Sequence, residues 1–209
     1  MTAQHLTLYH SPHSRSTGVI TLLEELKAPY DLHVLSIRKG ENREPPYLAV
    51  NPMGKVPAIR HGDAIVTEQV AVYLYLADLF PQAKLAPPVG DPLRGPYLRW
   101  IAFYGSCFEP ALVDRWLKRE VPDRKATGYG NFDDVFDTLV GQLAKGPYML
   151  GETFSAADVL WGGALGWMVA FDLLPKRQEI SDYVARVQSR PAAIAARDKD
   201  AALAAADQA

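Results

Sequence analysis

Short apolar runs separated by Gly and Pro fill the first eighty residues, and longer stripes at helical spacing fill the rest. Leu6 and Leu8 alternate with polar positions and predict a strand over residues 5–9. Val19, Ile20, Leu22, Leu23 and Leu26 then recur at helical spacing, with Glu24, Glu25 and Lys27 turned outward. Residues 31–37 suit a second strand, and the polar, Pro-rich RKGENREPPYLAV predicts an irregular segment holding a short helix. Two strands joined at His61-Gly62-Asp63 follow, then a helix from Glu68 to Leu79. The order βαβαββα predicts an α/β unit with a mixed sheet and helices on its faces. Pro81, Pro87, Pro88, Gly90 and Pro92 interrupt helical continuity and predict a linker.

Beyond Pro92 the pattern is helical throughout. Tyr97, Trp100, Ile101, Tyr104 and Phe108 predict one long helix, and Phe132, Val135, Phe136, Leu139 and Leu143 a second that stops at Gly146-Pro147. Ser155-Ala156-Ala157-Asp158 has the spacing of a capping box, with Phe154 and Val159 placed as its hydrophobic staple. It opens a thirteen-residue apolar run, Val159 to Phe171, too short to span a bilayer. Gly162, Gly163 and Gly166 in that run predict close approach by neighbouring helices. The Ala-rich tail from Ala201 is expected to fray.

Composition narrows the classes. Of 209 residues, 48% are hydrophobic and 22% charged, which fits a soluble chain with a substantial core. Acidic and basic residues nearly balance in both halves, so no nucleic acid or anionic membrane partner is expected. The first residues lack the basic and apolar regions of a signal peptide. A single cysteine, Cys107, excludes an intramolecular disulfide and fits a cytoplasmic location. All five histidines lie within residues 5–61, and His10 and His13 share one loop. No acidic or Cys ligand follows them at useful spacing, so no metal site is expected.

The segment Asn51-Pro52-Met53-Gly54-Lys55-Val56-Pro57-Ala58-Ile59 carries the most chemical information. Pro57 cannot donate to a sheet ladder, so it should precede a strand. X–Pro bonds are the ones for which cis is cheap, about 0.5–1 kcal/mol above trans. A cis Val56–Pro57 bond would turn the Val56 backbone groups toward an extended peptide ligand, with Lys55 and Glu68 offering opposite charges. An ordinary turn into a strand is the other reading of the same residues.

NPMGKVPAI, the hairpin, AIVTEQ and VAVYLYLADLFP together resemble the second half of the glutathione transferase N-terminal domain. GETFSAADVLWGGAL resembles the capped core helix of the same family, where Ser155 and Asp158 would be structural. The resemblance is to the bacterial, cytosolic type and covers essentially the whole chain. It implies a thioredoxin-like glutathione-binding domain over residues 1–82, a linker over 83–92 and an all-α domain over 93–209 with an electrophile site. It also implies a homodimer, with glutathione as co-substrate and no metal. Glutathione-binding residues would be Lys55, Val56, Pro57, Glu68 and Gln69. The Val56 backbone would pair with the cysteinyl part and Glu68 would take the γ-glutamyl ammonium. Lys55 and one of Arg38, Lys39 or Arg43 would meet the glycyl carboxylate, with Lys55 tied to the proline motif. Gln69 departs from the family pattern, which has Ser at that position.

The same resemblance aims the glutathione sulfur at the turn Tyr9 to Ser16. A free thiol has a pKa of about 8.5, and lowering it by two units takes about 2.7 kcal/mol of preferential thiolate stabilisation. A hydroxyl, a cation and a helix N-terminus can each supply part of that. The catalytic candidates are Ser14, Arg15 and Ser16. Ser14 falls where the zeta kind carries its catalytic hydroxyl, and Ser16 where that kind has a second cysteine. Arg15 falls where the beta kind has cysteine, the delta kind serine and the nu kind asparagine. Sliding the match toward the theta kind selects Ser11, and Tyr9 lies near the hydroxyl of tyrosine-type members. Helix N-capping is the competing use of these serines. Ser11, Tyr104, Cys107 and Phe108, with Trp116, are the candidates for the electrophile pocket; packing in a helical core is the alternative for the aromatic residues and for Cys107. The expected reaction is attack of the glutathione thiolate on an electrophilic carbon. Glutathione-dependent disulfide or peroxide reduction, as in the nu kind, and a non-catalytic binding protein on the same fold are the rivals.

Overall fold

The computed structural model describes residues 5–120 and 123–208. Its sheet has the order β2-β1-β3-β4, built from β1 (Leu6–His10), β2 (Asp31–Val34), β3 (Ala58–His61) and β4 (Ala64–Val66). β1 and β2 are parallel, with Thr7 opposite Asp31 and His10 opposite Val34. Parallel neighbours need a crossover, which α1 (Thr17–Leu26) supplies. β3 runs antiparallel to β1, placing Tyr9 opposite Ala58, and β4 returns antiparallel to β3, placing Val66 opposite Ile59. The predicted mixed sheet is therefore present, with α2 (Pro45–Leu48) and α3 (Gln69–Leu79) completing the predicted order. β2 stops three residues short of the expected span; it is an edge strand with mostly exposed side chains. All five apolar residues predicted for α1 are buried, alongside Leu8, Ile59, Val72 and Leu76.

This register has a functional consequence. The C-terminal ends of β1, β2 and β4 and the N-terminal end of β3 lie at one end of the sheet. The chain segments that leave or enter there are 11–16, 35–43, 55–57 and 67–69.

The tail does not fray. It forms α9 (Pro191–Gln208), which packs on α1 with Ala193, Ala196 and Ala204 buried. Alanine is the strongest helix former, and its small side chain lets one helix lie close to another. Arg190 grips Glu25 with two bonds of 2.6 and 2.8 Å, Lys199 meets Tyr30, and Asp207 accepts the Ser36 hydroxyl. The compact units are accordingly Met1–Ala83 with Arg190–Ala209, and Lys84–Ser189. The last helix, read from the pattern as part of the helical domain, belongs to the unit of the sheet.

In the helical unit, α4 (Arg94–Phe103) and α5 (Glu109–Trp116) are joined by a widened π turn at Tyr104–Phe108, where one long regular helix was expected. The predicted stripe is buried around Trp161, whose ring lies 4.9 Å from Phe108 and 5.4 Å from Tyr104. α6 (Phe132–Leu143) is capped by Asn131, whose side chain accepts the Asp134 N–H. α7 (Ala156–Ala170) packs against α8 (Gln178–Gln188). A Cβ on Gly162 would stand 2.3 Å from Val187 Cγ1, so this glycine is required by the approach of α8, whereas Gly163 faces open space. The Asp158 carboxylate accepts the Ser155 N–H and hydroxyl, the Met149 N–H and the Tyr183 hydroxyl. The predicted linker packs on this unit in part: Leu85 O accepts the Ala156 N–H, and Arg94 donates to Pro87 O. Among the described residues no helix is long and apolar enough to cross a membrane.

Candidate functional site

The edge before β3 is held by residues with no chemical role of their own. The Val56–Pro57 bond is cis. Asn51, buried, accepts the Met53 N–H on its side chain and the Gly54 N–H on its carbonyl, closing a tight turn. Gly54 has φ of +61°, and a Cβ there would lie 2.7 Å from Asn42 O, so only glycine fits. Asn42 Nδ2 donates to Gly54 O at 2.8 Å. The Lys55 carbonyl accepts both the Tyr47 hydroxyl and Asn51 Nδ2, which fixes the peptide entering Val56. Burial pushes the Tyr47 hydroxyl up to about 12, so it remains a donor at neutral pH. Asn42 and Tyr47 sit in the polar stretch that carried no local signal; the NPMG turn signature was the available clue to Asn51.

The charged candidates around this edge differ in their engagements. Arg38 donates to the Asp207 carbonyl and Lys39 lies 3.5 Å from the Asp207 carboxylate, while Arg43 donates to Met53 O. Lys55 is exposed and makes no ion pair among the described residues. Glu68 is also exposed, at the N-cap position of α3 with φ of +64°. A non-glycine residue held at positive φ costs about 1–3 kcal/mol, and such positions cluster at functional sites. Gln69 behaves otherwise. Its Oε1 is buried and makes no well-formed hydrogen bond among the described residues, as is the case for the Tyr73 hydroxyl.

The loop after β1 holds a connected set of hydroxyls. Ser14 Oγ lies 2.6 Å from Ser16 Oγ and donates to Ser11 O at 2.7 Å. Ser16 Oγ also accepts the Ser11 N–H and lies 2.8 Å from His10 Nδ1. Ser16 is fully buried, Ser14 half-buried and Arg15 exposed. Ser14 is thus the hydroxyl of this set that reaches the surface, with Ser16 behind it. Ser16 stands at the N-cap position of α1, yet its side chain makes no capping bond. Tyr9 is turned into a cluster with Leu35, Tyr47 and Ala58, and its hydroxyl accepts from Arg60.

Asp200 of α9 closes this loop from behind. It accepts the Thr17 hydroxyl at 2.6 Å and the His13 N–H at 3.1 Å, and lies 3.2 Å from His10 Nε2 and 3.4 Å from His13 Nδ1. Burial pushes its carboxyl upward, but the contacts with His10, Thr17 and the His13 N–H outweigh that and hold it below the usual range. Neither His10 nor Asp200 was assigned a role from the sequence. Among the described residues no group of three or more His, Cys, Asp or Glu is placed to hold a metal ion.

The residues assigned to the electrophile pocket fall in different units. Ser11 belongs to the sheet unit and is buried, its backbone serving the hydroxyl network. Tyr104 and Phe108 lie in the core of the helical unit, packed on Trp161. Cys107 is partly exposed, with Sγ 3.5 Å from Ser106 Oγ and 3.9 Å from Gly128 O, and Trp116 is well exposed.

Residues 4–78 match the family model for the glutathione S-transferase N-terminal domain, and residues 110–186 that for the C-terminal domain. Glutathione S-transferase hmp2 of Hypomyces subiculosus is 30% identical over 74% of this chain and 78% of its own length. Among solved structures, a glutathione transferase from Methylococcus capsulatus str. Bath superposes with a TM-score of 0.79 at 30% identity, covering 94% of this chain and 98% of that one. A glutathione transferase homologue from Sulfitobacter, solved with bound glutathione, gives 0.72 at 27% identity over 93% of this chain and 98% of its own. This chain belongs to the glutathione S-transferase family.

Proposed function

We propose that this protein binds glutathione at the end of its sheet and transfers the glutathione thiolate to the electrophilic carbon of a small apolar molecule. One observation carries the reading. The strand register brings the hydroxyl loop 11–16, the Lys55–Pro57 edge and Glu68 to the same end of one sheet. An extended tripeptide can lie along the Val56 edge, with its ammonium at Glu68 and its glycyl carboxylate near Lys55. Its sulfur then falls toward Ser14, the half-buried hydroxyl at the start of α1. The helix N-terminus and Arg15 add positive potential there, so the thiolate is favoured over the thiol. The glutathione-bound homologue from Sulfitobacter supports the choice of ligand. On this reading residues 1–82 are the glutathione domain, the helical part supplies the electrophile site, and the enzyme is a cytoplasmic homodimer.

Calorimetry with glutathione, followed by turnover assays with an aryl halide and an organic peroxide, tests the proposal. Binding with turnover of the aryl halide is expected. Failure to bind at millimolar glutathione would remove the proposal. Turnover of the peroxide alone would reassign the chemistry to reduction.

A further inference from the structure

The loop after β1 contains more polar machinery than a single thiolate donor needs. From the surface inward it runs from Ser14 Oγ to Ser16 Oγ at 2.6 Å and on to His10 Nδ1 at 2.8 Å. Across the imidazole ring, Nε2 lies 3.2 Å from Asp200 Oδ1. Ser16 and His10 are both 0% exposed. His10 Nε2 stands 3.2 Å from Asp200 Oδ1 without the geometry of a well-formed hydrogen bond. A buried ring nitrogen left in that state is destabilising and calls for an explanation.

Counting hydrogens restricts what the chain can do. Ser16 Oγ already accepts the Ser11 N–H, and Ser14 Oγ the Ser16 N–H. Each hydroxyl then has one hydrogen to give and room for one more donor. Ser11 O competes for both hydrogens, at 2.7 Å from Ser14 Oγ and 3.3 Å from Ser16 Oγ; once they turn from it and lie along the chain, the chain can point in two ways. Pointing inward, Ser14 donates to Ser16 and Ser16 donates to a neutral His10 Nδ1. Pointing outward, His10 Nδ1–H donates to Ser16, Ser16 donates to Ser14, and Ser14 donates to whatever lies at the surface.

We infer that this chain carries the glutathione thiol proton inward to His10, which acts as the base, while Asp200 holds the imidazolium that results and serves as its positioning residue. The inference rests on the reading of the loop as the thiol site. The S–H bond breaks and its hydrogen bonds to Ser14 Oγ; the former Ser14 hydrogen passes to Ser16 Oγ, and the former Ser16 hydrogen to His10 Nδ1. The electron pair stays on sulfur. Thiol and neutral imidazole become thiolate and imidazolium, with no oxidant or reductant. The same hops reverse the chain, so Ser14 ends by donating to the thiolate it helped to form. Nε2 keeps its hydrogen throughout and faces the Asp200 carboxylate, which becomes a counter-charge once the second nitrogen is protonated. Asp200 and His13 are charged or titratable groups in contact with this ring and its carboxylate.

The test is proton accounting on the whole chain at a pH of about 7.5, where a free thiol is mostly protonated and a free imidazole mostly neutral. Glutathione is added in weak buffer while thiolate absorbance and proton release are recorded together. Wild-type protein should release fewer protons than it forms thiolates, because His10 retains them. His10→Gln should form less thiolate and release one proton for each that it does form, while still binding S-methylglutathione, which has no thiol proton. Nitrogen NMR of the His10 ring in the wild-type glutathione complex should show the imidazolium, a readout needing no variant. One proton released per thiolate in the wild type, or a neutral His10 ring in a complex whose thiol is ionised, overturns the relay and leaves glutathione binding intact. Absence of any bound thiolate would overturn both.

Discussion

Asp158 in the helical unit and Asp200 in the sheet unit are both carboxylates buried beneath hydroxyl and amide donors. Around Asp158 the set is closed. Two backbone N–H groups and two hydroxyls converge on its oxygens, and no solvent-facing group takes part. Burial still pushes its carboxyl upward, with those four bonds only partly offsetting the cost. Around Asp200 the set is open. Burial pushes upward there too, but His10, Thr17 and the His13 N–H prevail and the carboxyl is held low. One route from it leads through His10 and Ser16 to a half-buried hydroxyl. A closed network fixes a fold. An open one, with a buried nitrogen left over, can move a proton.

Breaking the closed network should cost most. Asp158→Ala leaves two backbone N–H groups without partners in the core and the Tyr183 hydroxyl with only the 3.5 Å contact to the carbonyl of residue 158, and should lower unfolding free energy by about 3 kcal/mol or more, measured from denaturant midpoints. Tyr183→Phe removes a single donor from the same carboxylate and should cost about 1–2 kcal/mol by the same measurement. Acid titration sharpens the contrast with a smaller effect. Asp200, with its carboxyl held low when folded, contributes stability above the ordinary aspartate value of 3.8 that is lost as pH falls through its depressed folded value. Asp158 has the opposite sign, since its folded state holds a proton more readily than the unfolded chain, so the cost of burying its charge fades as pH falls. Asp200→Asn should therefore flatten the acid-side loss of stability below a pH of about 4, whereas Tyr183→Phe should leave that slope in place.

The two regions also differ in how far the sequence discloses them. Ser155 and Asp158 are three residues apart, and a capping box depends on that spacing alone, so its carboxylate arm was readable; the Tyr183 and Met149 donors were not. The succession of strands and helices, Pro57 at the entry to β3 and the aromatic stripe were readable for the same reason, since each is a local periodicity or a local backbone constraint. The partners of Asp200 lie 183 and 187 residues away in the chain. It sits in an Ala-rich tail whose composition reads as a frayed end, and whose buried alanine stripe acquires meaning once α1 lies beside it. His10 was legible as a histidine near His13 and invited a metal reading, because nothing local reveals a carboxylate from the far end of the chain. The π turn at Tyr104–Phe108 is similar: the stripe predicts which residues are buried, and tertiary packing around Trp161 decides how the backbone winds to bury them. Tyr104 and Phe108 had two readings in the sequence, pocket wall or core. Their packing on Trp161 accounts for the second.

The central claim is that the sheet end holds glutathione with its sulfur at Ser14. Its most direct test is a pH titration of thiolate absorbance for glutathione bound to the wild type and to Ser14→Ala. The account predicts ionisation in the wild type well below the free-thiol value of about 8.5, and a return toward that value by about one unit or more in Ser14→Ala. Titration curves that coincide would contradict it and move the thiolate donor elsewhere in the loop.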